Sequence, residues 1–179
     1  MKQRMMTTIG YEEIESPIGR LTLGWSGALC QIEFGAFEPN RSKLEAWSSR
    51  WFGKTRWERN PSLLKEAAAQ LDAYFSGKLQ RFTIPLDLRG TPFQRQVWQA
   101  LQSIPYAQVC AYKDIAERIG APKAVRAVGG ANNRNPVPII VPCHRVIGAS
   151  GSMVGYGGGL DIKTYLLRHE GYRLEGAAL

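Results

Sequence analysis

Alternating apolar and polar residues mark the first part of the chain as strand-forming. The stretches 20–25, RLTLGW, and 29–34, LCQIEF, both alternate in this way, and Ser26-Gly27 supplies a turn between them. The Trp-rich polar stretch that follows, up to about Asn60, matches neither a strand period nor a helix period. The pattern therefore predicts paired strands near the N-terminus and leaves the next stretch without a predicted element.

Helical spacing begins after Asn60. The apolar side chains of residues 61–77 fall on one helical face, with Pro61 near the start and Gly77 just past the end. Residues 80–90, QRFTIPLDLRG, are extended and contain a proline, which predicts an edge strand or a linker. A second helix is predicted from Thr91, a plausible N-cap, through Pro92 at the first helical position, and Pro105 ends it.

Two short helices, YKDIAERIG and PKAVRAVGGANN, follow at the spacing of a helix-turn-helix, separated by Gly120-Ala121. A helix that reads base edges in the major groove carries several long polar side chains, whereas the second helix here is built from Ala, Val and Gly. Small residues permit close approach to the DNA backbone or minor groove, with Arg126 as the one long side chain. The alternative is a helix packed on the protein's own core. A Gly-rich loop and a last helix, DIKTYLLRHEG, complete the chain.

Composition and charge narrow the class of protein. The apolar content of 44% and charged content of 21% are typical of a soluble globular protein. Residues 1–90 carry 13 Lys or Arg and 10 Asp or Glu, a net of +3, while residues 91–179 carry 10 and 5, a net of +5. A basic C-terminal half favours polyanions, nucleic acid above all, although many basic proteins bind no DNA.

The sequence also indicates a compartment. The N-terminus has no apolar region typical of a secretory signal, and no apolar run approaches the length of a membrane span. The chain has three cysteines, Cys30, Cys110 and Cys143. A small, odd number of cysteines does not suggest a disulfide framework. We therefore expect an intracellular, cytoplasmic protein with free thiols and no membrane partner.

The stretch NPVPIIVPCHRV, residues 135–146, holds the candidate chemistry. A lone cysteine is more often a small buried residue than a nucleophile. Cys143, however, follows an apolar run and Pro142, which predicts a strand end facing a cavity, and His144 and Arg145 beside it favour the thiolate. Adjacent residues of a strand point to opposite faces, so the pattern does not establish a direct contact between Cys143 and His144, and a bridging water would relax that constraint. Glu170 can fix the imidazole tautomer, which allows a Cys–water–His–Glu relay.

These motifs carry a family resemblance. VPCHRVIG, preceded by PKAVRAVGGANNRNPVPII and followed by GYGGGLDIKTYLLRHEG, resembles the methylated-DNA–protein-cysteine methyltransferases, the O6-alkylguanine-DNA alkyltransferase family. The resemblance is dense from about Gly90 to Leu174 and weaker before, through SPIGRLTL and the segment from Leu71 to Leu101. It implies irreversible transfer of an alkyl group from O6-alkylguanine, and less so from O4-alkylthymine, in duplex DNA to a cysteine that is then spent.

The resemblance also implies roles for individual residues. Cys143 accepts the alkyl group, His144 takes its proton through water, and Glu170 orients His144. Tyr112 contacts the flipped base and its flanking phosphate and can donate a proton to the leaving guanine. Arg126 enters from the minor groove and fills the gap of the flipped nucleotide. Asn135 is the hinge between the recognition helix and the active-site strand. Further DNA contacts are expected from Lys123, Ala127, Gly129 and Gly130, and pocket contacts from Val146, Tyr156, Gly157, Gly158 and Lys163.

For the fold, the resemblance implies two domains. Residues 1–88 would form an α/β domain of the ribonuclease H-like type, a sheet with a helix. Residues 89–179 would form a mainly α domain with a winged-helix-like helix-turn-helix that binds DNA and carries catalysis. No cofactor is expected, and no zinc, because residues 1–90 contain no histidine and only Cys30. The partner would be double-stranded DNA bearing alkylated bases, bound by a monomer that can act cooperatively on DNA.

Some positions depart from the family pattern. Ala107, Gln108 and Cys110 stand where Gly, Glu and Ser are usual, which concerns the local turn and phosphate contacts. Asn132 stands where an apolar residue is common.

Three other functions compete with alkyl transfer. A non-catalytic damage-binding relative would lack Cys143, a cysteine hydrolase would need an oxyanion hole, and a transcription regulator would carry a polar recognition helix.

Overall fold

The computed structural model describes residues 5–153 and 155–174. The outermost residues of the two predicted domains, 1–4 and 175–179, lie outside the described residues, as does Val154 of the Gly-rich loop. The chain divides into two compact units between Arg89 and Gly90. Within the described ranges, no helix has both the length and the apolar character needed to cross a membrane.

The first unit is built on a four-stranded sheet. Its strands are β1 (Thr7–Ile14), β2 (Leu21–Trp25), β3 (Leu29–Phe34) and β4 (Thr55–Arg59), in the order β3-β2-β1-β4. The β1–β2 and β2–β3 pairs are antiparallel and the β1–β4 pair is parallel. The two strands predicted from alternation are thus confirmed as β2 and β3.

The Trp-rich stretch without a predicted element forms helix α1 (Phe37–Phe52) and strand β4. Phe37, Leu44 and Trp57 join one buried cluster, and the indole of Trp57 donates to Ser48 Oγ at 3.0 Å. A 3₁₀ turn (Pro61–Leu64) and helix α2 (Lys65–Phe75) follow, which confirms the predicted helix. In the 80–90 segment, the N–H of Asp87 donates to Leu29 O at 2.9 Å, so this extended stretch bridges to the start of β3.

The second unit is mainly helical. Its elements are α3 (Pro92–Leu101), β5 (Cys110–Ala111), α4 (Tyr112–Arg118), α5 (Val125–Asn133), β6 (Val146–Ile147) and α6 (Leu160–His169). Thr91 is the N-cap of α3, as predicted, and the structure adds a reciprocal pair of hydrogen bonds between Thr91 and Gln94. Helices α4 and α5 form the predicted helix-turn-helix, and β5 pairs with β6 in parallel. The two-domain fold, a sheet unit followed by a helical DNA-binding unit, is confirmed.

One predicted element is wrong. The apolar run before Cys143 is a series of turns rather than a strand, closed by a hydrogen bond from Val141 N to Val137 O at 3.0 Å. Three prolines, at 136, 138 and 142, supply no N–H donor to a strand ladder. Ile139 adopts a φ of +75°, which a β-branched residue rarely does. Cys143 therefore sits on a 3₁₀ turn, Cys143–Arg145, and not at a strand end.

Candidate active site

Cys143 begins the 3₁₀ turn and is only 4% exposed. Burial raises the pKa of its thiol to about 11, although a hydrogen bond from Asn135, the charge of Lys163 and a hydrogen bond from Tyr156 all act to lower it. The thiol is therefore the resting form at neutral pH. The expectation that flanking His144 and Arg145 favour the thiolate is wrong for the resting site, because both side chains are directed to Glu170.

His144 and Glu170 form a fully buried pair. The imidazole Nε2 and a carboxylate oxygen of Glu170 lie 2.7 Å apart, and both side chains are excluded from solvent. Burial lowers the pKa of His144, so the ring is neutral at pH 7. An ionised carboxylate only accepts hydrogen bonds, so Nε2 carries the ring proton and Nδ1 presents its lone pair. That buried Nδ1 has no hydrogen-bond partner among the described protein groups.

Glu170 stays ionised despite its burial. Burial alone would raise the pKa of its carboxyl, but hydrogen bonds from His144 and Arg145, and then their charges, hold the pKa well below its usual range. The guanidinium of Arg145 is bidentate, with Nε at 2.8 Å and Nη2 at 3.0 Å from the carboxylate oxygens. Its Nη1 also donates to Ile104 O at 2.7 Å. This clamp fixes Glu170, and hence the tautomer of His144.

The role of Arg145 was missed by sequence reasoning, which assigned it only an effect on the thiol. The general rule that a buried carboxylate needs a cation could have prompted a search for one near Glu170. Ala107 supplies a further contact, since its N–H donates to Glu170 at 3.2 Å. Ala107, which departs from the family pattern, adopts a left-handed φ of +63°, a conformation that suits glycine.

Asn135 connects the end of α5 to the turn before Cys143. Its Nδ2 donates to Val141 O at 2.7 Å and its Oδ1 accepts from Val137 N at 3.0 Å. The predicted hinge position is thus linked to a proline-rich turn rather than to a strand.

Two more buried contacts tie α5 to its surroundings. Asn132 Nδ2 donates to Cys143 O at 3.3 Å, and the indole of Trp98 donates to Ala131 O at 2.8 Å. Asn132, which departs from the family pattern, therefore contacts the backbone of the candidate nucleophile. The Asn132 side chain thus joins α5 to the Cys143 turn, and the Trp98 indole joins α5 to α3.

The predicted pocket residues gather around the same turn. The hydroxyl of Tyr112, at the start of α4, donates to Gly155 O at 3.3 Å. A Cβ atom at Gly157 would lie 3.4 Å from Asn133 O, which places the glycine loop close to the end of α5. Tyr156 is half-buried, Gly158 is half-buried and Gly157 is exposed, while Val146 is buried beside the turn. Lys163 is fully buried, and its Nζ donates to Val146 O at 2.6 Å.

Helix α5 presents small residues to solvent. Val128, Ala131 and Asn132 are its buried residues, whereas Arg126, Ala127 and Gly130 are exposed and Gly129 is half-exposed. A Cβ atom at Gly129 or Gly130 would meet no atom of the described chain within 4 Å. The glycines are therefore not required by packing against the protein's own core, and that alternative is wrong at these two positions. Lys123 is also exposed, and neither it nor Arg126 belongs to the cluster around Cys143.

Comparison with known proteins gives matches along both units. Residues 92–172 match the family model described as 6-O-methylguanine DNA methyltransferase, DNA binding domain, and residues 9–88 match its ribonuclease-like domain. A methylated-DNA–protein-cysteine methyltransferase from Mycolicibacterium paratuberculosis is 51% identical over 90% of this chain and 92% of its own length. A Methanosarcina acetivorans protein of the same name is 48% identical over 90% of this chain and 97% of its own length.

Solved structures agree with these relatives. The crystal structure of Mycobacterium tuberculosis OGT in complex with DNA has a TM-score of 0.77 and 48% identity, covering 90% of this chain and 92% of that one. The O6-methylguanine-DNA methyltransferase of Pyrococcus kodakaraensis has a TM-score of 0.64 and 26% identity, covering 91% and 99%. With both family domains matched and relatives half identical along nine-tenths of its length, the chain belongs to the 6-O-methylguanine DNA methyltransferase family.

Proposed function

We propose that this protein repairs alkylated DNA by moving the alkyl group from O6 of guanine, and less readily from O4 of thymine, to Cys143. The observation that carries the proposal is a buried thiol followed in the chain by a buried, neutral imidazole whose tautomer is fixed by an ionised carboxylate. Attack on a saturated carbon needs a soft, strong nucleophile, and a thiolate is the best that a protein side chain offers.

The first step is removal of the thiol proton. A resting pKa of about 11 means that the thiolate must be formed as it reacts, with a base at hand. The free lone pair of His144 Nδ1 is that base, and one water molecule carries the proton to it from the sulfur. Glu170 stabilises the imidazolium that results, and Arg145 holds Glu170 in place.

The second step transfers the alkyl group. A sulfur–carbon bond forms as the carbon–oxygen bond breaks, and the electron pair of the broken bond stays with the guanine. Burial raises the pKa of Tyr112, so its phenol is protonated at neutral pH and can give its proton to the leaving base. The imidazolium returns a proton to Tyr112, and unmodified guanine leaves. The thioether on Cys143 resists hydrolysis, so each molecule acts once.

DNA contact is assigned to α5. A stacked base hides its O6 substituent, so the nucleotide must be flipped into the pocket formed by Tyr112, Val146, Tyr156, the loop at Gly157-Gly158 and Lys163. The open space over Gly129 and Gly130 lets a phosphate backbone or a narrow groove approach the helix, with Lys123 and Ala127 beside it. Arg126 enters the minor groove and fills the gap. We expect a monomer to engage each lesion, with cooperative binding along DNA.

Intact mass spectrometry tests the proposal. After incubation with a duplex containing O6-methylguanine, the protein should gain the mass of one CH2 group, once per molecule, and peptide mapping should place it on Cys143. Cys143→Ala should bind the duplex but gain no mass, with Cys110→Ala as the matched control that still reacts. Methyl transfer that persists in Cys143→Ala, or turnover beyond one group per molecule, contradicts the proposal.

A further inference from the structure

We propose that the turn between α1 and β4 is a second contact surface for the phosphate backbone of duplex DNA, distinct from α5. This basic turn spans residues 50–56, RWFGKTR. The inference rests on the proposed function in one respect, that the partner is duplex DNA. It gives the first unit a part in binding, whereas the proposed function places every DNA contact in the second unit.

The net charge of the first unit is concentrated in the basic turn. Residues 1–90 carry 13 Lys or Arg and 10 Asp or Glu. Three of those cations and none of the acids lie in residues 50–56, so the rest of residues 1–90 carries 10 of each and has no net charge. A net charge of +3 within seven residues creates a local positive field, which attracts a polyanion.

The three cations of the basic turn are exposed. Arg50 lies in the last turn of α1, and its guanidinium carbon is 4.8 Å from the ring centroid of Trp51. A guanidinium held against an aromatic face keeps its charge and its outward N–H donors. Lys54 follows Gly53, whose φ of +79° turns the chain at the end of the helix. Arg56 lies on β4, at the edge of the sheet.

Two of these charges are not neutralised by the protein. Neither Arg50 nor Lys54 forms an ion pair with a residue in the described part of the chain, whereas Arg41 and Lys43, earlier on α1, both pair with glutamates. The third cation, Arg56, is paired only with an exposed glutamate, and exposed pairs contribute little to stability. Arg50 and Lys54 are therefore available to phosphate oxygens.

Charges at the edge of a sheet can also have a purely protective role. They prevent the edge strands of two molecules from pairing, which would apply to Arg56 on β4. Arg50 and Lys54 precede the first residue of β4, Thr55, so edge protection does not account for them. The two roles also differ in outcome, because loss of a protective charge causes self-association and leaves DNA binding unchanged.

Salt-dependent binding tests the inference. Arg50→Gln with Lys54→Gln removes the two unpaired cations, and Lys65→Gln with Arg81→Gln is the matched control, since it removes one lysine and one arginine that are exposed elsewhere in the first unit. Fluorescence anisotropy measures the affinity of the whole protein for an unmodified duplex, several helical turns long, over a range of salt concentrations. Each phosphate contact contributes about 0.9 to the slope of log affinity against log salt, so the slope should become shallower by about 1.8 in the test variant. Its affinity at about 0.1 M salt should fall by roughly tenfold to sixtyfold, while the control stays close to wild type.

Equal losses in the two variants would overturn the inference, because net charge and not the position of the turn would then govern binding. An unchanged slope in the test variant would also overturn it, and self-association of that variant in size-exclusion chromatography would then assign the charges to edge protection. Thermal unfolding shows whether each variant folds, and if the double variant does not, Lys54→Gln alone should lose about 0.9 of the slope. Wild-type protein that fails to bind the duplex contradicts the proposed function itself, whereas wild-type binding with an unchanged test variant contradicts only this inference.

Discussion

Glu170→Gln is the substitution that most sharply tests the buried relay. Glutamine keeps the volume of the side chain but has no charge, and its amide can donate where the carboxylate only accepts. Opposite Nε2 of His144, an amide N–H would favour the tautomer that carries its proton on Nδ1. That tautomer has no lone pair on the side where the thiol proton must arrive.

Two magnitudes follow from the geometry. Arg145 is 7% exposed and makes two charged hydrogen bonds to Glu170, so the variant leaves a buried guanidinium without its counter-charge. Breaking a buried ion pair in this way costs about 3–5 kcal/mol, a large part of the roughly 5–15 kcal/mol that stabilises a typical domain. Loss of a positioned general base slows a reaction by about 10²–10⁴-fold, so methyl transfer should fall within that range.

The pH dependence gives an independent check. The pKa of Glu170 is depressed in the folded protein, so its contribution to stability is present above the unfolded value of roughly 4.3 and is lost as the pH falls through the folded pKa. The stability difference between wild type and Glu170→Gln should therefore be full at pH 7 and shrink only in strong acid.

Single-turnover methyl transfer followed by mass spectrometry, and urea unfolding followed by tryptophan fluorescence, measure both effects. Glu117→Gln is the matched control. It makes the same chemical change at a glutamate that is exposed on α4. A Glu170→Gln variant with a rate within about threefold of wild type would refute the assignment of His144 as the base, since general-base losses are far larger. A stability loss no greater than that of the control would refute the clamp.

Three further predictions concern other parts of the second unit. Arg126→Ala should slow repair in duplex DNA more than reaction with the free modified base, which needs no flipping; equal losses would give Arg126 another role. Ala107→Gly should raise the unfolding midpoint, because a left-handed backbone costs an alanine roughly 1–2 kcal/mol, more than the added entropy of unfolded glycine. Trp98→Phe should lower the free energy of unfolding by about 1–3 kcal/mol, since Ala131 O loses its buried donor; an unchanged urea midpoint would show that another donor replaces the indole.

The sequence predicts much of the fold because local patterns decide it. Thr91 is recognisable from the sequence as the N-cap of α3, and the pair of helices α4 and α5 follows from the short helical segments on either side of Gly120. Helix α1 escaped prediction because its buried residues include Ser48, a polar side chain whose burial depends on the distant indole of Trp57. The strand predicted before Cys143 failed because an apolar run shows burial but not the backbone conformation imposed by its prolines.

For the site, the sequence predicts which residue types take part but not where their side chains point. Cys143, His144 and Glu170 follow from the family motif and from the scarcity of histidine and acid nearby. Nothing in the order of residues shows that Arg145 turns toward Glu170, or that Lys163 enters the interior rather than solvent, since both depend on long-range packing. The left-handed backbone of Ala107 is likewise a product of the turn that brings its N–H to Glu170.

The buried, protonated thiol also has a consequence for a protein that can be used only once. Because burial raises the pKa of Cys143 to about 11, the thiol is protonated at pH 7 in the resting protein. Peroxides and soluble electrophiles attack the thiolate and need access to the sulfur, so the resting protein is a poor target for both. Under oxidative or alkylating stress, we therefore expect lesions in DNA to consume the active protein. The reagents that cause those lesions should inactivate very little of it directly.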